Sequence, residues 1–388
     1  MPALPASILA TPEPPIPAVR HWAARYRGTA PLLDMTQAVP GYPPHPALLA
    51  RLGAAAADPA LASYGPIEGD AALREAVAAD LSARYGAAIA PDQVAITAGC
   101  NLAFAMVMAA LAGPGARVGL PTPWYFNHQM TLLMQGAVPV PIPCLPEEGF
   151  IPDPDRVAAL LPGLSALVLV TPNNPTGAVY PAEVLARIAA AAAAAGVWLV
   201  LDETYRDFLA DDAPPHTLFG EAGWPERLVQ LYSFSKAYCI PGQRLGAVVA
   251  GGAVREALMK ALDSFQICPA RPGQAALAWA VPALAEWRAA NRAIMAGRAQ
   301  AAREALGQLP GWRLDSIGAY FAYVRLPREA PDALAMAERL AVEHGLLCLP
   351  GPFFGPGQER HLRLAFANVE EARIRELPGR LAWAGAAW

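Results

Sequence analysis

The sequence contains very little lysine. Of its 29 basic residues only Lys236 and Lys260 are lysines, and all the others are arginines. Cysteine is also scarce, with five residues in 388, and no two of them form a CxxC pair. This spacing argues against a disulfide framework and against a zinc site, and it favours reduced thiols in a cytoplasmic protein. We therefore expect no metal ion and no disulfide.

The sequence has no large excess of charge of one sign and no long apolar run. The formal net charge is −4, which shows no bias toward nucleic acid or an anionic membrane. No uninterrupted apolar run reaches the roughly 18 residues of a spanning helix. The N-terminus, residues 1–18, is broken by prolines and lacks the basic start of a signal peptide. We expect a soluble cytoplasmic protein that binds neither nucleic acid nor membrane.

What the sequence does contain is an alternation of helix and strand patterns. Prolines cluster before residue 50 and suggest an extended arm on the surface. Then EGDAALREAVAADLSARYG carries Leu73, Val77 and Leu81 at four-residue spacing, which is typical of an amphipathic helix. Short apolar runs predict buried strands at 94–99, 117–121, 138–143, 166–171, 198–204, 228–234 and 244–250.

These patterns predict an α/β fold in two parts. The larger domain, residues 48–275, would hold a mostly parallel seven-stranded sheet covered by helices. A smaller α/β domain would comprise residues 276–388, joined by part of the N-terminal arm, residues 1–47. With 55% hydrophobic and 16% charged residues, the chain can build a core of this size.

Residues suited to chemistry follow successive predicted strands. The segments AGCN, PTPWYF, TPNNPTG, DETY and SFSK each begin where a strand is predicted to end. Taken singly, each has an ordinary structural explanation as a turn, a helix cap or a core residue. Because ligands in open α/β sheets bind beyond the carboxyl ends of the strands, their joint occurrence predicts one functional site.

In their order and spacing these motifs resemble pyridoxal-phosphate (PLP) enzymes of the aspartate-aminotransferase fold, the class I and II aminotransferases. The resemblance extends over nearly the whole chain and rests on YGPIEGDAALREAV, AGCN, NNPTG, LDETY, SFSKAYCIPGQRLG and HLRLAFA. It implies that the larger domain binds PLP. It also implies an aminotransferase that moves an amino group from an L-amino acid to a 2-oxo acid, in a homodimer with shared active sites.

The resemblance implies catalytic roles for three residues. Lys236 would form the Schiff base with PLP, because a primary amine condenses with an aldehyde and a guanidinium does not. Asp202 would pair with the pyridine nitrogen and keep the ring electron-accepting. Tyr205, together with Asn174, would hydrogen-bond the phenolic oxygen of PLP.

Further ligands follow from the same resemblance. The aromatic ring of Tyr125 would stack on the cofactor. The substrate α-carboxylate would be bound by Arg363, with Ala38 and Asn174 beside it. The implied phosphate ligands are Gly99, Cys100, Asn101, Ser233, Ser235 and Arg244, with Tyr64 from the partner subunit.

Several alternatives stay open at this point. C–S β-lyases, synthases and amino-acid oxidases or cyclases share these motifs. The motifs do not distinguish these reactions from transamination, because the pose of the substrate decides which bond breaks. A remoter alternative is a non-catalytic PLP-binding regulatory module. Arg271 either lies on the surface or contacts a neighbouring phosphate or an acidic substrate side chain. Tyr42, Phe126 and Tyr320 either line an apolar substrate pocket or pack in the core, so the amino acid used is undetermined.

Overall fold

Helices and strands succeed one another along residues 4–381, the part of the chain that the computed structural model describes. The strands are β1 (Leu33–Asp34), β2 (Val94–Thr97), β3 (Arg117–Thr122), β4 (Val138–Pro143), β5 (Ala166–Val170), β6 (Trp198–Asp202), β7 (Leu228–Ser233), β8 (Gly246–Val249), β9 (Arg313–Gly318), β10 (Phe321–Arg325), β11 (Leu346–Leu347), β12 (Leu349–Pro350) and β13 (His361–Ala365). The helices are α1 (Ala6–Leu9), α2 (Pro15–Ala23), α3 (Pro46–Ala56), α4 (Ala71–Tyr85), α5 (Cys100–Leu111), α6 (Phe126–Met134), α7 (Pro154–Leu160), α8 (Ala182–Ala194), α9 (Phe234–Ala237), α10 (Gly252–Phe265), α11 (Arg271–Ala283), α12 (Ala285–Gly307), α13 (Ala333–His344), α14 (Glu371–Ile374) and α15 (Leu377–Leu381).

The large sheet contains the seven strands that the apolar runs predicted. Its order is β2-β8-β7-β6-β5-β3-β4. The pairs from β4 through β7 are parallel, and β8 runs antiparallel to both of its neighbours, β7 and β2. The prediction of a mostly parallel seven-stranded sheet in an α/β fold is therefore confirmed.

Helices cover both faces of this sheet, which explains why its central strands are mostly apolar. In β5, Leu167 and Leu169 pack in the core that also contains Leu73 and Val77 of α4. The residue between them, Val168, packs in the other core, with residues of α5 and α10. Successive side chains of a strand point to opposite faces, so every position of a doubly covered strand is buried.

The N-terminal segment is not the extended arm that its prolines suggested. It forms α1 and α2, and β1 pairs in parallel with β11. Pro15 stands at the start of α2, where the missing proline N–H would have had no partner in any case. Val19 and Trp22 of α2 are buried, and the helix packs on α13. That prediction was wrong for this stretch; residues 1–3 of the predicted arm lie outside the described residues.

A second, antiparallel sheet has the strand order β12-β13-β10-β9. It lies within the predicted smaller domain, whose residues 382–388 are outside the described part. Helix α11 packs on α3 and α4, and the predicted boundary near residue 275 falls within this helix. The division into domains stays a prediction. Within residues 4–381 no helix is both long enough and apolar enough to cross a membrane.

Candidate active site

A cleft of about 340 Å³ opens beyond the carboxyl ends of the central strands. Asp202 is the last residue of β6, Ser233 is the last of β7, and Asn174 follows β5. Most of the predicted site residues line this cleft: Ala38, Cys100, Asn101, Tyr125, Asn174, Asp202, Tyr205, Ser233, Ser235, Lys236, Arg244 and Arg363. The parallel strands thus bring together residues that lie hundreds of positions apart in sequence.

Lys236 is placed by the short helix α9, which begins directly after β7. Its Nζ donates a hydrogen bond of 2.6 Å to the backbone carbonyl of Ala38. Burial lowers the pKa of Lys236 to about 8, and the positive charges of Arg363 and Arg244 act in the same direction. An amine with this pKa is partly neutral near physiological pH, which both nucleophilic and base chemistry require. Ala38, implied by the resemblance to lie beside the substrate carboxylate, thus contacts Lys236 through its carbonyl.

Asp202 is buried and held by two groups. Its Oδ1 accepts a hydrogen bond from the backbone N–H of Thr204 at 3.0 Å. Its Oδ2 lies 3.3 Å from Nε2 of His128. The His128 ring is in turn stacked on Phe104 at a centroid distance of 4.0 Å. Sequence reasoning missed His128, because a histidine inside an ordinary amphipathic helix carries no signal of its own.

A cradle for an anion forms where α5 begins. Gly99, just before that helix, has a φ of +91°, and a Cβ there would come within 2.3 Å of Nη2 of Arg244. Gly246 is equally confined, since its Cβ would lie 2.7 Å from the backbone nitrogen of Cys100. The hydroxyls of Ser233 and Ser235 line the same cleft. Backbone N–H groups at a helix N-terminus, two hydroxyls and a guanidinium are the donors that a phosphate needs.

Arg363 lies on β13 with its side chain facing the cleft. Its Nη1 donates to Oδ1 of Asn174 at 3.1 Å, and its Nη2 donates to the carbonyl of Thr36. Its guanidinium carbon lies 5.1 Å from the ring centres of both Phe321 and Phe354. Burial lowers the pKa of Arg363 to about 10. Its Nε is buried without a hydrogen-bond partner among the described residues.

Two tyrosines occupy the cleft wall. The hydroxyl of Tyr125 donates to Oδ1 of Asn101 at 3.4 Å, and burial raises the pKa of Tyr125 to about 12. Tyr205 packs edge-on against Tyr320 and Phe321, and burial raises the pKa of Tyr205 as well. Both phenols therefore stay protonated at neutral pH and can donate hydrogen bonds.

Two residues singled out by sequence lie outside the cleft. The Tyr64 side chain is 79% exposed. Arg271 forms an ion pair with Asp70 at 3.2 Å, and its Nη1 donates to the carbonyl of Ala60 and the hydroxyl of Ser63. Within this chain, Arg271 thus fixes the segment that leads to Tyr64, and its positive charge is paired with the carboxylate of Asp70.

Of the three aromatics left open, Phe126 lines the cleft. Tyr320 is fully buried, and its hydroxyl donates to the carbonyl of Lys236 at 3.4 Å. Tyr42 packs edge-on against Trp287 and belongs to the same small core as Tyr320. Phe126 is thus the one of the three that borders the cleft.

The side chains of the cleft fit PLP. An amine with a lowered pKa suits the aldehyde, the cradle around Gly99 and Arg244 suits the phosphate, and a buried carboxylate suits the pyridine nitrogen. The guanidinium of Arg363, which lines the cleft, suits the carboxylate of a substrate. The cleft thus holds a complementary group for each polar part of the cofactor and for the common part of an amino acid.

Comparison with known proteins bears on the same point. The model of the family "Aminotransferase class I and II" matches residues 31–381. The probable aspartate/prephenate aminotransferase of Thermus aquaticus is 32% identical over 318 residues, which are 79% of this chain and 80% of that protein. The aromatic aminotransferase ISS1 of Arabidopsis thaliana is 29% identical, over 90% of this chain and 88% of its own.

A solved structure agrees with these relatives. A single mutant of the aspartate aminotransferase of Thermus thermophilus superposes with a TM-score of 0.89 at 29% identity, covering 99% of this chain and 100% of that one. The predicted resemblance and the predicted cofactor, PLP, are confirmed, and among the activities left open transamination is the one supported. The chain belongs to the class I and II aminotransferases and is a PLP-dependent aminotransferase.

Proposed function

We propose that this aminotransferase holds its cofactor through Lys236 and binds the α-carboxylate of its amino-acid and 2-oxo-acid substrates through Arg363. The observation that carries the proposal is the presence of both buried groups in one cleft, with the pKa of the lysine lowered to about 8. When bound, PLP supplies a ring that accepts the negative charge developing at the substrate α-carbon.

Lys236 has two tasks in this proposal. Its primary amine holds the cofactor, and once a substrate amine has replaced it, the freed Nζ takes the proton from the substrate α-carbon. The second task requires the neutral amine, and burial with two nearby guanidinium groups favours that form. Ala38, whose carbonyl accepts a hydrogen bond from Nζ, orients the amine in the resting chain.

Asp202 would carry the negative charge that keeps the pyridine nitrogen of the cofactor protonated. The contacts with Thr204 and His128 fix the orientation of its carboxylate. The hydroxyl of Tyr205 and the amide of Asn174 would act on the phenolic oxygen of the cofactor, and Tyr125 would cover its ring. Gly99, Cys100, Asn101, Ser233, Ser235 and Arg244 are the proposed phosphate ligands.

Arg363 would orient the substrate. Its planar guanidinium can bind a carboxylate through two parallel hydrogen bonds, and Asn174 and Thr36 already fix its plane. The orientation that Arg363 imposes on the substrate would decide which bond at the α-carbon breaks.

We further propose a homodimer in the cytoplasm. A tyrosine that is 79% exposed, on a segment tied down by Arg271, suits a contact with another subunit. The partner subunit's Tyr64 would then complete the phosphate site of this chain. The cytoplasmic assignment is supported by the cysteines, all of which are free thiols.

The proposal is tested by mixing the PLP-loaded enzyme with single amino acids and no acceptor, and measuring the 2-oxo acid released. A transaminase stops after one equivalent per site, and adding an acceptor oxo acid restarts it. The variant Lys236→Arg should release none, whereas Lys260→Arg, at the other and exposed lysine, should behave as wild type. Continuous release without an acceptor, or an active Lys236→Arg variant, would overturn the proposal.

A further inference from the structure

The charges of the cleft restrict the side chain of the substrate. The cations among the described residues that line it are Lys236, Arg244 and Arg363. In the proposed function, on which this inference rests, Lys236 holds the cofactor, Arg244 binds its phosphate, and Arg363 binds the α-carboxylate of the substrate. Within residues 4–381 of the chain, no lining cation is left for a second carboxylate. Arg271, the other candidate, is already paired with Asp70.

The lining of the cleft that is not assigned to the cofactor or the α-carboxylate carries no charge among the described residues, and its polar members include Thr36 and Gln37. Ile16, Val39 and Phe126 are apolar residues of the same lining. Phe126 packs against Phe354 at a ring distance of 5.9 Å, and Phe354 lies under the guanidinium of Arg363. A substrate whose α-carboxylate binds Arg363 therefore has its side chain within reach of Phe126.

A second cavity of about 370 Å³ lies next to this wall. Phe126 borders both spaces, and of two consecutive residues Pro15 lines the second cavity while Ile16 lines the cleft. Trp124, Met130 and Phe353 give the second cavity an apolar surface. Its carboxylates, Glu13 and Glu359, would repel an acidic side chain. Phe126 and the residues at 15–16 thus form a partition between the two spaces.

We propose that the cleft accepts amino acids with a neutral, apolar side chain, and that Phe126 limits the size of that side chain by closing the cleft toward the second cavity. Phe126 begins α6, and its ring contacts Tyr125 on one side and Phe354 on the other. It is therefore held between the cofactor site and the carboxylate site, where a specificity-determining residue must lie.

The first test measures binding, with unreactive acids and the PLP-loaded enzyme, by isothermal titration calorimetry. Both 4-methylvalerate and glutarate offer one carboxylate to Arg363. The other end of 4-methylvalerate is apolar, whereas that of glutarate is a second carboxylate. We expect 4-methylvalerate to bind at least about tenfold more tightly, because a carboxylate buried without a partner is strongly disfavoured. Equal or tighter binding of glutarate would overturn the proposal.

The second test changes the partition. In Phe126→Ala the two spaces should join, so that kcat/KM for phenylalanine relative to leucine rises about tenfold or more, and Phe126→Leu should show a smaller rise. Met134→Ala, at an exposed position of the same helix, is the matched control and should leave the ratio unchanged. An unchanged ratio in a Phe126→Ala variant that folds and loads PLP would refute the role of Phe126.

An error in the substrate class can be distinguished from an error in the proposed function. If no amino acid yields a 2-oxo acid, the proposed function itself is wrong. If aspartate or glutamate reacts faster than leucine and phenylalanine, Lys236 and Arg363 keep their roles and only the inferred substrate class falls.

Discussion

Replacing Gly99 by alanine should weaken cofactor binding through Arg244. A Cβ at this position would come within 2.3 Å of Nη2 and 2.9 Å of Cζ of Arg244. These atoms end a flexible side chain, so the guanidinium will move and the backbone will not. The φ of +91° with a ψ of 161° is a conformation essentially restricted to glycine, which adds about 1–3 kcal/mol of strain.

The backbone strain and the displacement of Arg244 are detected by different measurements. The strain is present with and without cofactor, so it lowers the free energy of unfolding of the apoenzyme. Displacing Arg244 would remove the proposed charge-assisted hydrogen bond to the phosphate, worth about 1.5–3 kcal/mol. Because Arg244 is exposed in this structure, the lower half of that range applies. The dissociation constant for PLP should then rise roughly 10- to 40-fold.

The assay is a titration of apoenzyme with PLP, followed by quenching of protein fluorescence, alongside thermal unfolding of the apoenzyme. Gly53→Ala is the matched control: Gly53 lies in α3, and a Cβ there would meet nothing within 4 Å. That variant should gain about 0.5–1 kcal/mol of stability and bind PLP unchanged. A folded Gly99→Ala variant with a PLP affinity within twofold of wild type would show that Arg244 does not hold the phosphate.

Three further outcomes are expected. The rate at which apoenzyme captures PLP should rise with pH to an inflection near 8, because capture needs the neutral amine of Lys236 and the cleft lowers its pKa to about 8; an inflection above pH 10, as for a free lysine, would contradict this. Arg363→Lys should raise the amino-acid KM roughly 30-fold and leave PLP affinity unchanged, because an ammonium cannot bind a carboxylate through two parallel bonds; unchanged substrate titrations would refute the assignment. Arg271→Ala should release the segment before Tyr64, which lowers PLP affinity about three- to tenfold and raises hydrogen exchange at 60–64. In that variant the affinity for glutarate relative to 4-methylvalerate should not change. A selective loss of glutarate binding would instead make Arg271 a ligand of acidic substrates.

Much of the fold could be predicted because it is encoded locally. Each strand of the large sheet is a short apolar run, and a doubly covered parallel strand requires no other signal. The proline-rich N-terminus misled prediction, because a proline at the first position of a helix, such as Pro15 or Pro46, looks the same in sequence as one in an extended segment. Only packing of α2 on α13 distinguishes the two.

The family, the cofactor and the edge of the sheet at which the candidate site lies follow from the sequence, since a primary amine, a carboxylate and hydroxyl and guanidinium groups follow strands whose carboxyl ends meet at one edge. What surrounds those groups depends on the folded chain. His128 meets Asp202, Arg271 meets Asp70 across 201 positions, and Phe126 stands between two cavities. These contacts join side chains from elements far apart in sequence, and no local pattern encodes which of them will meet. The wall of the cleft therefore exists only once the chain has folded.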